Sequence, residues 1–291
     1  MIKVIASDMD GTLLNNEHVL SERTIVAIKK AQQAGIRFMI ATGRSFEQAM
    51  HAMKDADIEC DYIVSSGAEV RNPQKVVLQS GSMNMQDCRM VYEVLKQYEL
   101  TYLFGAATAD YCIGDTKDRE QELIQHILTF EQGMTEAEAR ETDLFKFMIG
   151  KTKVIADFEE LEASDVEIIK IFAMSNDLEM LREIEKKLQV NENLAVASSF
   201  ENNLEITDVK AQKGLALKSY IESLGYTMDE VMVFGDSMND YSMLSMDFGA
   251  TVAMENGAQR VKDVAKYVTK SNVEDGVAYV IEELLKSEGL Y

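Results

Sequence analysis

The chain has 291 residues, 46% of them hydrophobic and 27% charged, which is enough for one large core or two. A net charge of −21 disfavours nucleic acid, which is bound by neutralising phosphates, and equally an anionic membrane surface. No apolar run reaches the roughly 18 residues needed to span a bilayer, and Met1 leads straight into a strand without the basic region of a signal peptide. Cys60, Cys88 and Cys112 are an odd number with no Cys-x-x-Cys pair, which fits reduced, packed thiols and predicts a cytoplasmic protein.

The first strand is Ile2–Ser7, and Asp8-Met9-Asp10-Gly11-Thr12 follows it at once. In extended backbone, side chains two apart share a face, so Asp8 and Asp10 are expected to leave the strand together. Two carboxylates about 4 Å apart repel by about 4 kcal/mol at an effective dielectric near 20, which calls for a cation, a shared proton or a chemical task. Taken alone, the stretch is also compatible with an ordinary strand exit bearing solvated Asp residues. Gly11 permits a sharp turn and Thr12 can tie it down.

Ser21 can cap a helix carrying Ile25, Ile28 and Ala31, and Gly35 ends it. A strand at 36–41 runs into Thr42-Gly43-Arg44, a helix starts near Ser45, and Tyr62-Ile63-Val64 is a third strand. This alternation predicts a parallel sheet with helices on its faces. Residues 71–75, with the only proline, read as a hairpin turn.

The rhythm changes between about 85 and 209. Helices near 85–99, 117–131 and 177–189 alternate with strands near 101–105, 109–113, 144–149, 166–173, 194–199 and 203–207. Strands adjacent without a helix between them suggest antiparallel pairing. His126 falls on one of these helices and reads as structural. Alternation resumes with a helix at 213–224, a strand at 231–234, a helix at 239–247, a strand near 249–253 and a last helix from Asp275. The fold class is therefore α/β: a Rossmann-like, doubly wound parallel-sheet core, 1–82 and 210–291, with an inserted α/β cap, 83–209. The insert carries a net charge of −15 and the remainder −6, an asymmetry that hints at separate domains.

In an open parallel sheet, ligands bind beyond the carboxyl ends of the strands. Those ends carry Asp8 and Asp10, then Thr42, Gly43 and Arg44, then Gly235-Asp236-Ser237-Met238-Asn239-Asp240, while Lys213-Gly214 opens a helix between them. Asp8, Asp236 and Asp240 offer the hard oxygens that Mg²⁺ requires. One of the first two Asp residues can attack phosphorus and the other can move protons. Thr42 and nearby amides can bind phosphate oxygens, and Lys213 can offset negative charge. Each piece alone has a bland explanation: a helix entry, a surface lysine, an Asx-rich turn. Their joint occurrence in order favours phosphoryl transfer.

Asp-Met-Asp-Gly-Thr, Ala-Thr-Gly-Arg, Lys-Gly and Gly-Asp-Ser-Met-Asn-Asp resemble the four motifs of the haloacid dehalogenase superfamily. The position of the insert is similar to that in the Cof-like branch of sugar-phosphate phosphatases, as are residues 250–256 and 271–277. The resemblance implies that Asp8 is the nucleophile and Asp10 the general acid/base. It implies that Asp8, Asp236 and the Asp10 backbone carbonyl ligate Mg²⁺, with Asp240 acting through the water shell. Thr42, Gly43, Arg44, Lys213 and Asn239 are the candidates for holding the phosphoryl group, and the cap would close over the site. The family often has Asn-Gly-Ala where this chain has Ser66-Gly67-Ala68.

The expected activity is Mg²⁺-dependent hydrolysis of small phosphorylated metabolites, sugar phosphates or phosphorylated cofactors, through an aspartyl-phosphate. Two alternatives stand beside it. A phosphomutase would need a basic site in the insert, for which Lys146, Lys151, Lys153 and Lys170 are candidates. A non-catalytic phosphate-binding regulator would bind without turnover. No nucleic-acid or membrane partner is expected, and the sequence leaves the oligomeric state open. Tyr102, Phe104, Tyr111, Phe145 and Phe147 are pocket candidates, although aromatic residues on strands are usually core.

Overall fold

A computed structural model describes residues 1–130 and 133–289; the side chain of His126 and the expected helix end at Glu131 lie outside the described residues. In chain order the elements begin β1 (Val4–Ser7), α1 (Glu22–Gln33), β2 (Arg37–Ala41), α2 (Phe46–Met53), β3 (Asp61–Val64), β4 (Glu69–Arg71) and β5 (Val77–Ser80). There follow α3 (Met85–Leu95), β6 (Thr101–Ala106), β7 (Asp110–Ile113), α4 (Thr116–Phe130), α5 (Glu136–Glu141), α6 (Asp143–Lys151) and β8 (Thr152–Ile155). Next come α7 (Phe158–Ala163), β9 (Ile168–Met174), α8 (Leu178–Leu188), β10 (Leu194–Ala197) and β11 (Asn203–Asp208). The chain ends with α9 (Lys213–Ser223), β12 (Val231–Gly235), α10 (Tyr241–Leu244), β13 (Ala250–Ala253), α11 (Gln259–Val264), β14 (Tyr267–Val268) and α12 (Gly276–Ser287).

Two compact units emerge. One comprises Met1–Gly81, Ala195–Glu201 and Thr207–Tyr291, the other Ser82–Leu194 and Asn202–Ile206. Residues 195–201 and 207–209, expected with the insert, thus group with the first unit. Hydrogen bonds explain this: Asn239 N donates to Ser198 O, and Thr207 Oγ1 donates to Ala211 O.

The first unit holds an eight-stranded sheet in the order β14-β13-β12-β1-β2-β3-β4-β5. It is parallel from β14 to β3 and antiparallel across β4 and β5. The β4–β5 hairpin contains the expected turn around Pro73. Strand alternation sends Ile5, Phe38, Ile40 and Phe234 to one face, where they meet Ile28 of α1 and Ile281 of α12. Val4, Ala6, Met39 and Val233 go to the other face, against Leu217 and Ile221 of α9. This is a doubly wound sheet, and the direction of winding reverses between β1 and β12. Local capping agrees with the sequence: Ser21 Oγ accepts from Thr24 N, and Ser45 forms a capping box with Gln48. Strand β5 is exposed along its whole length, as is β14 at the other rim.

The second sheet has the order β10-β11-β9-β6-β7-β8, antiparallel from β11 through β9 and β6 to β7 and parallel between β7 and β8. The strand expected near 144–149 is instead helix α6. Thr142 caps it by accepting from Phe145 N, and Phe145 then packs with Leu123, Ile124, Ile127 and Ala139. The apolar run 147–149 suits either element, and the cap decides; the strand follows at β8. The helix expected at 239–247 is shorter: a 3₁₀ turn over Met238–Asp240, then α10.

Candidate active site

The point where winding reverses in an open α/β sheet is a crevice at the carboxyl ends of two neighbouring strands. Here those strands are β1 and β12, paired from Val4–Val231 to Ser7–Phe234. Asp8 follows β1, its N–H donating to Phe234 O, and Asp236 follows β12. The chain then turns through Met9–Leu13, with Gly11 at φ +73°. A Cβ on Gly11 would lie 2.4 Å from Asp236 Oδ2, so glycine is needed both for the turn and for the approach of the two loops. Thr12 ties the turn across to the second loop, its Oγ1 donating to Asp236 Oδ1 at 2.7 Å.

Carboxylate oxygens of Asp8, Asp236 and Asp240 lie within 4.8 Å of one another. Lys213, the first residue of α9 and wholly buried, donates from Nζ to Asp8 Oδ1 at 2.6 Å and Asp240 Oδ1 at 2.7 Å. It also reaches Asn239 Oδ1 at 3.3 Å. Asp240 Oδ2 accepts from the backbone N–H of Asp236 and of Ser237, at 2.9 and 3.0 Å. Both oxygens of Asp240 are therefore engaged within the protein, where they shape the 235–240 turn and hold Lys213.

Asp10 takes different partners. Its carboxylate is gripped by Arg44, Nε to Oδ2 at 2.7 Å and Nη2 to Oδ1 at 2.5 Å, with His18 Nδ1 3.5 Å away. Asp8 directly follows β1, while Asp10 lies in the Met9–Leu13 turn beyond the strand. Thr42 prolongs β2, its N–H donating to Ile63 O, and its Oγ1 accepts from Arg44 N at 3.1 Å. Gly43 lies between them, half-buried.

The loop after β3 braces this arrangement. Ser65, Ser66 and Gly67 all have positive φ, at 50°, 60° and 102°. Ser65 N donates to Arg44 O and Ser66 N to Thr42 O. A Cβ on Gly67 would stand 2.5 Å from Gln212 C and 2.8 Å from Lys213 N, so the loop seats the start of α9. These contacts are made by backbone, so Ser in place of Asn at position 66 leaves them in being. His18 was not singled out from the sequence; it lies in a turn organised by Asn15, and nothing in its spacing points toward Asp10.

The electrostatics are unbalanced. Four carboxylates (Asp8, Asp10, Asp236, Asp240) face the two fixed cations Lys213 and Arg44. Burial, then Asp240, raise the Asp8 carboxyl well above its ordinary value. The same causes push Asp236 up to about 7. Burial alone would lower the Lys213 ammonium, but Asp240 and Asp8 outweigh it and the net shift is upward. For Asp10, burial is overcome by the hydrogen bonds of His18 and Arg44, which hold it well below the usual carboxylate range. A divalent cation beside Asp8 and Asp236 fits this donor set: the oxygens are hard, closely spaced and short of positive charge.

In the second unit, the lysines considered for a second phosphate site are engaged elsewhere. Lys146 pairs with Glu141 at 2.9 Å and Lys170 with Glu205 at 3.6 Å, while Lys151 lies over Phe147 and Lys153 over Tyr111. Phe104, Tyr111 and Phe145 are buried, and Phe104 packs with Tyr92 and Phe158.

Comparison with known proteins gives the family. Residues 5–281 match the model of a family described as haloacid dehalogenase-like hydrolase. The chain is 29% identical to the phosphatase YwpJ of Bacillus subtilis (strain 168), over 98% of this chain and 100% of that one. It is 30% identical to the 5-amino-6-(5-phospho-D-ribitylamino)uracil phosphatase YwtE of the same organism, over 99% of each. A solved haloacid dehalogenase-like hydrolase from B. subtilis superposes with a TM-score of 0.84 at 28% identity, covering 98% of this chain and all of that one. No described helix is long and apolar enough to cross a membrane.

Proposed function

Because the chain belongs to the haloacid dehalogenase-like hydrolases, we propose that it is a Mg²⁺-dependent phosphatase of small phosphorylated metabolites, working through an aspartyl-phosphate on Asp8. One observation carries the reading: a buried nucleophile candidate, Asp8, hydrogen-bonded to a buried lysine inside a carboxylate cluster with surplus negative charge. Asp8, Asp236 and the Asp10 backbone carbonyl would hold the cation. When bound, it would cancel carboxylate repulsion and draw charge from the phosphoryl oxygens.

The protein's own groups divide the work. Lys213 orients Asp8 and favours its ionised form against burial and Asp240, so that a carboxylate oxygen attacks phosphorus while the bond from phosphorus to the leaving oxygen breaks. Asp10 gives that oxygen a proton, then takes one from the water that hydrolyses the aspartyl-phosphate. In the pair with Arg44, Asp10 is held ionised, which suits the second step. For the first step the pair must open and Asp10 must take up a proton from solvent, the arriving phosphate competing for the guanidinium. Thr42, Gly43 and Asn239 line the approach as phosphoryl-binding groups. The second unit would act as the cap that selects the leaving group. The relative named for a phosphorylated ribitylaminouracil supports small cyclic or sugar-like leaving groups. Engagement of Lys146, Lys151, Lys153 and Lys170 speaks against a mutase.

The test is phosphate release from a panel of sugar phosphates and phosphorylated cofactors, with Mg²⁺ and with chelator. Metal-dependent release lost in Asp8→Asn is the expected result. A folded, Mg²⁺-loaded protein that releases phosphate from no compound would sink the reading.

A further inference from the structure

The segment after β13, Met254 to Ala258, touches both loops of the acidic cluster. Toward β12, Met254 N donates to Gly235 O at 3.0 Å and Ala258 N to Asp236 O at 2.7 Å. Gly257 lies flat on the same loop: a Cβ there would stand 2.9 Å from Asp236 O and 3.0 Å from its Cα. Toward β1, Asn256 Nδ2 donates to Gly11 O at 2.8 Å. Asn256 is itself held, because its Oδ1 accepts from Asn272 N at 3.0 Å. Asn272, nine-tenths buried, also donates from Nδ2 to Leu14 O at 2.9 Å, the far end of the turn that carries Asp10 and Gly11.

We propose that Asn256, backed by Asn272, is a positioning residue that fixes the spacing between the Asp8–Leu13 turn and Asp236, and thereby sets the affinity of the site for a divalent cation. The inference rests on the metal site of the phosphatase reading. Three contacts carry it. The Asn256 amide ends on the peptide next to Asp10, whose carbonyl is a ligand candidate. Ala258 ends on the peptide of Asp236. Asn272 ends at Leu14, so the turn is pinned at two points. The brace touches neither the phosphoryl-binding groups nor Asp8, so its loss should loosen the cation before it disturbs the chemistry. Groups that orient metal ligands from behind typically contribute roughly 10–100-fold to metal affinity.

The experiment is titration calorimetry of the whole chain with Mg²⁺ alone, without substrate, for wild type, Asn256→Ala, Gly257→Ala and the remote control Asn191→Ala. Asn256 is exposed and its truncation should leave the fold intact; Gly257→Ala probes the same brace from the Asp236 side should it not. The expected result is a dissociation constant for Mg²⁺ weakened by about tenfold or more in both brace variants and unchanged in the control. Phosphate release at saturating Mg²⁺ should keep kcat within about twofold, with KM for substrate little moved. Wild-type Mg²⁺ affinity in a folded Asn256→Ala, whether or not its melting temperature drops, would overturn the brace. Absence of Mg²⁺ binding by the wild-type chain would overturn the phosphatase reading on which it rests.

Discussion

The two ends of the parallel sheet each bury a cluster of charge, and the clusters are built on opposite terms. At the amino end, Asp61 opens β3 fully buried, and Arg37 at the start of β2 forks onto it at 2.5 and 2.7 Å. Tyr220, from the last turns of α9, donates to Asp61 Oδ1 at 2.6 Å. One anion meets one cation and a hydroxyl, and the account closes. At the carboxyl end, Lys213 from the first turn of the same helix faces Asp8 and Asp240, with Asp236 beside them. Here anions outnumber cations. A matched buried pair holds secondary elements together, whereas a mismatched one costs stability that only a ligand can return.

The sharpest way to break the comparison is to alter each cluster by one charge. Asp8→Asn should lower phosphate release by about a thousandfold or more, while making the metal-free protein more resistant to heat, because it removes repulsion among buried carboxylates. Arg37→Leu should do the opposite: lose roughly 3–5 kcal/mol in denaturant unfolding and leave Mg²⁺ affinity as it was. If Arg37→Leu weakened Mg²⁺ binding as much as stability, the two ends would not be separable.

Acidity sharpens the contrast further. In the metal-free fold, burial and Asp240 push the Asp236 carboxyl from its ordinary 3.8 up to about 7. The folded state therefore keeps a proton that the unfolded chain has lost between those values. Stability of the metal-free protein should fall as pH rises through that window. Thermal melts in chelator should give a higher midpoint near pH 5.5 than near pH 8, and added Mg²⁺ should reverse the trend by binding the ionised form. Mg²⁺ affinity should correspondingly weaken below pH 7. A smaller effect is expected at Asp10. Arg44→Met removes the fork, so the Asp10 carboxyl should rise toward the ordinary range, leaving His18 as its remaining partner. The acid limb of kcat against pH should move upward with it.

Much of this site was legible because each polar group follows an apolar run. Asp8 and Asp236 end buried strands, and Lys213 opens a helix, so topology alone gathers them. Strand order had to be seen before β1 and β12 were known to be neighbours. Partners were harder to read. Arg44 sat among the phosphate-binding candidates by its place after β2, yet its guanidinium lies on Asp10, and chain position carries no information about which of two anions a long side chain reaches. Asn256 and Asn272 stood out only as family-like residues. Their bonds to Gly11 and Leu14 span some 245 and 258 positions, a separation no local pattern encodes. In the second unit, residues 144–149 were read as a strand because an apolar run fits both elements, and Thr142 tipped the balance toward helix.

The exposed rims of the larger sheet bear on how the protein behaves in bulk. Val76, Val77 and Leu78 offer an apolar outer strand to solvent at 55, 45 and 51% exposure, and Tyr267 and Val268 do so at the far rim. Open rims of this kind invite two copies to zip together. The 21 surplus negative charges oppose such pairing, and their reach shrinks to about 8 Å at physiological salt and about 3 Å at 1 M. Dilute buffer, rather than added salt, is the medium in which this molecule should stay dispersed.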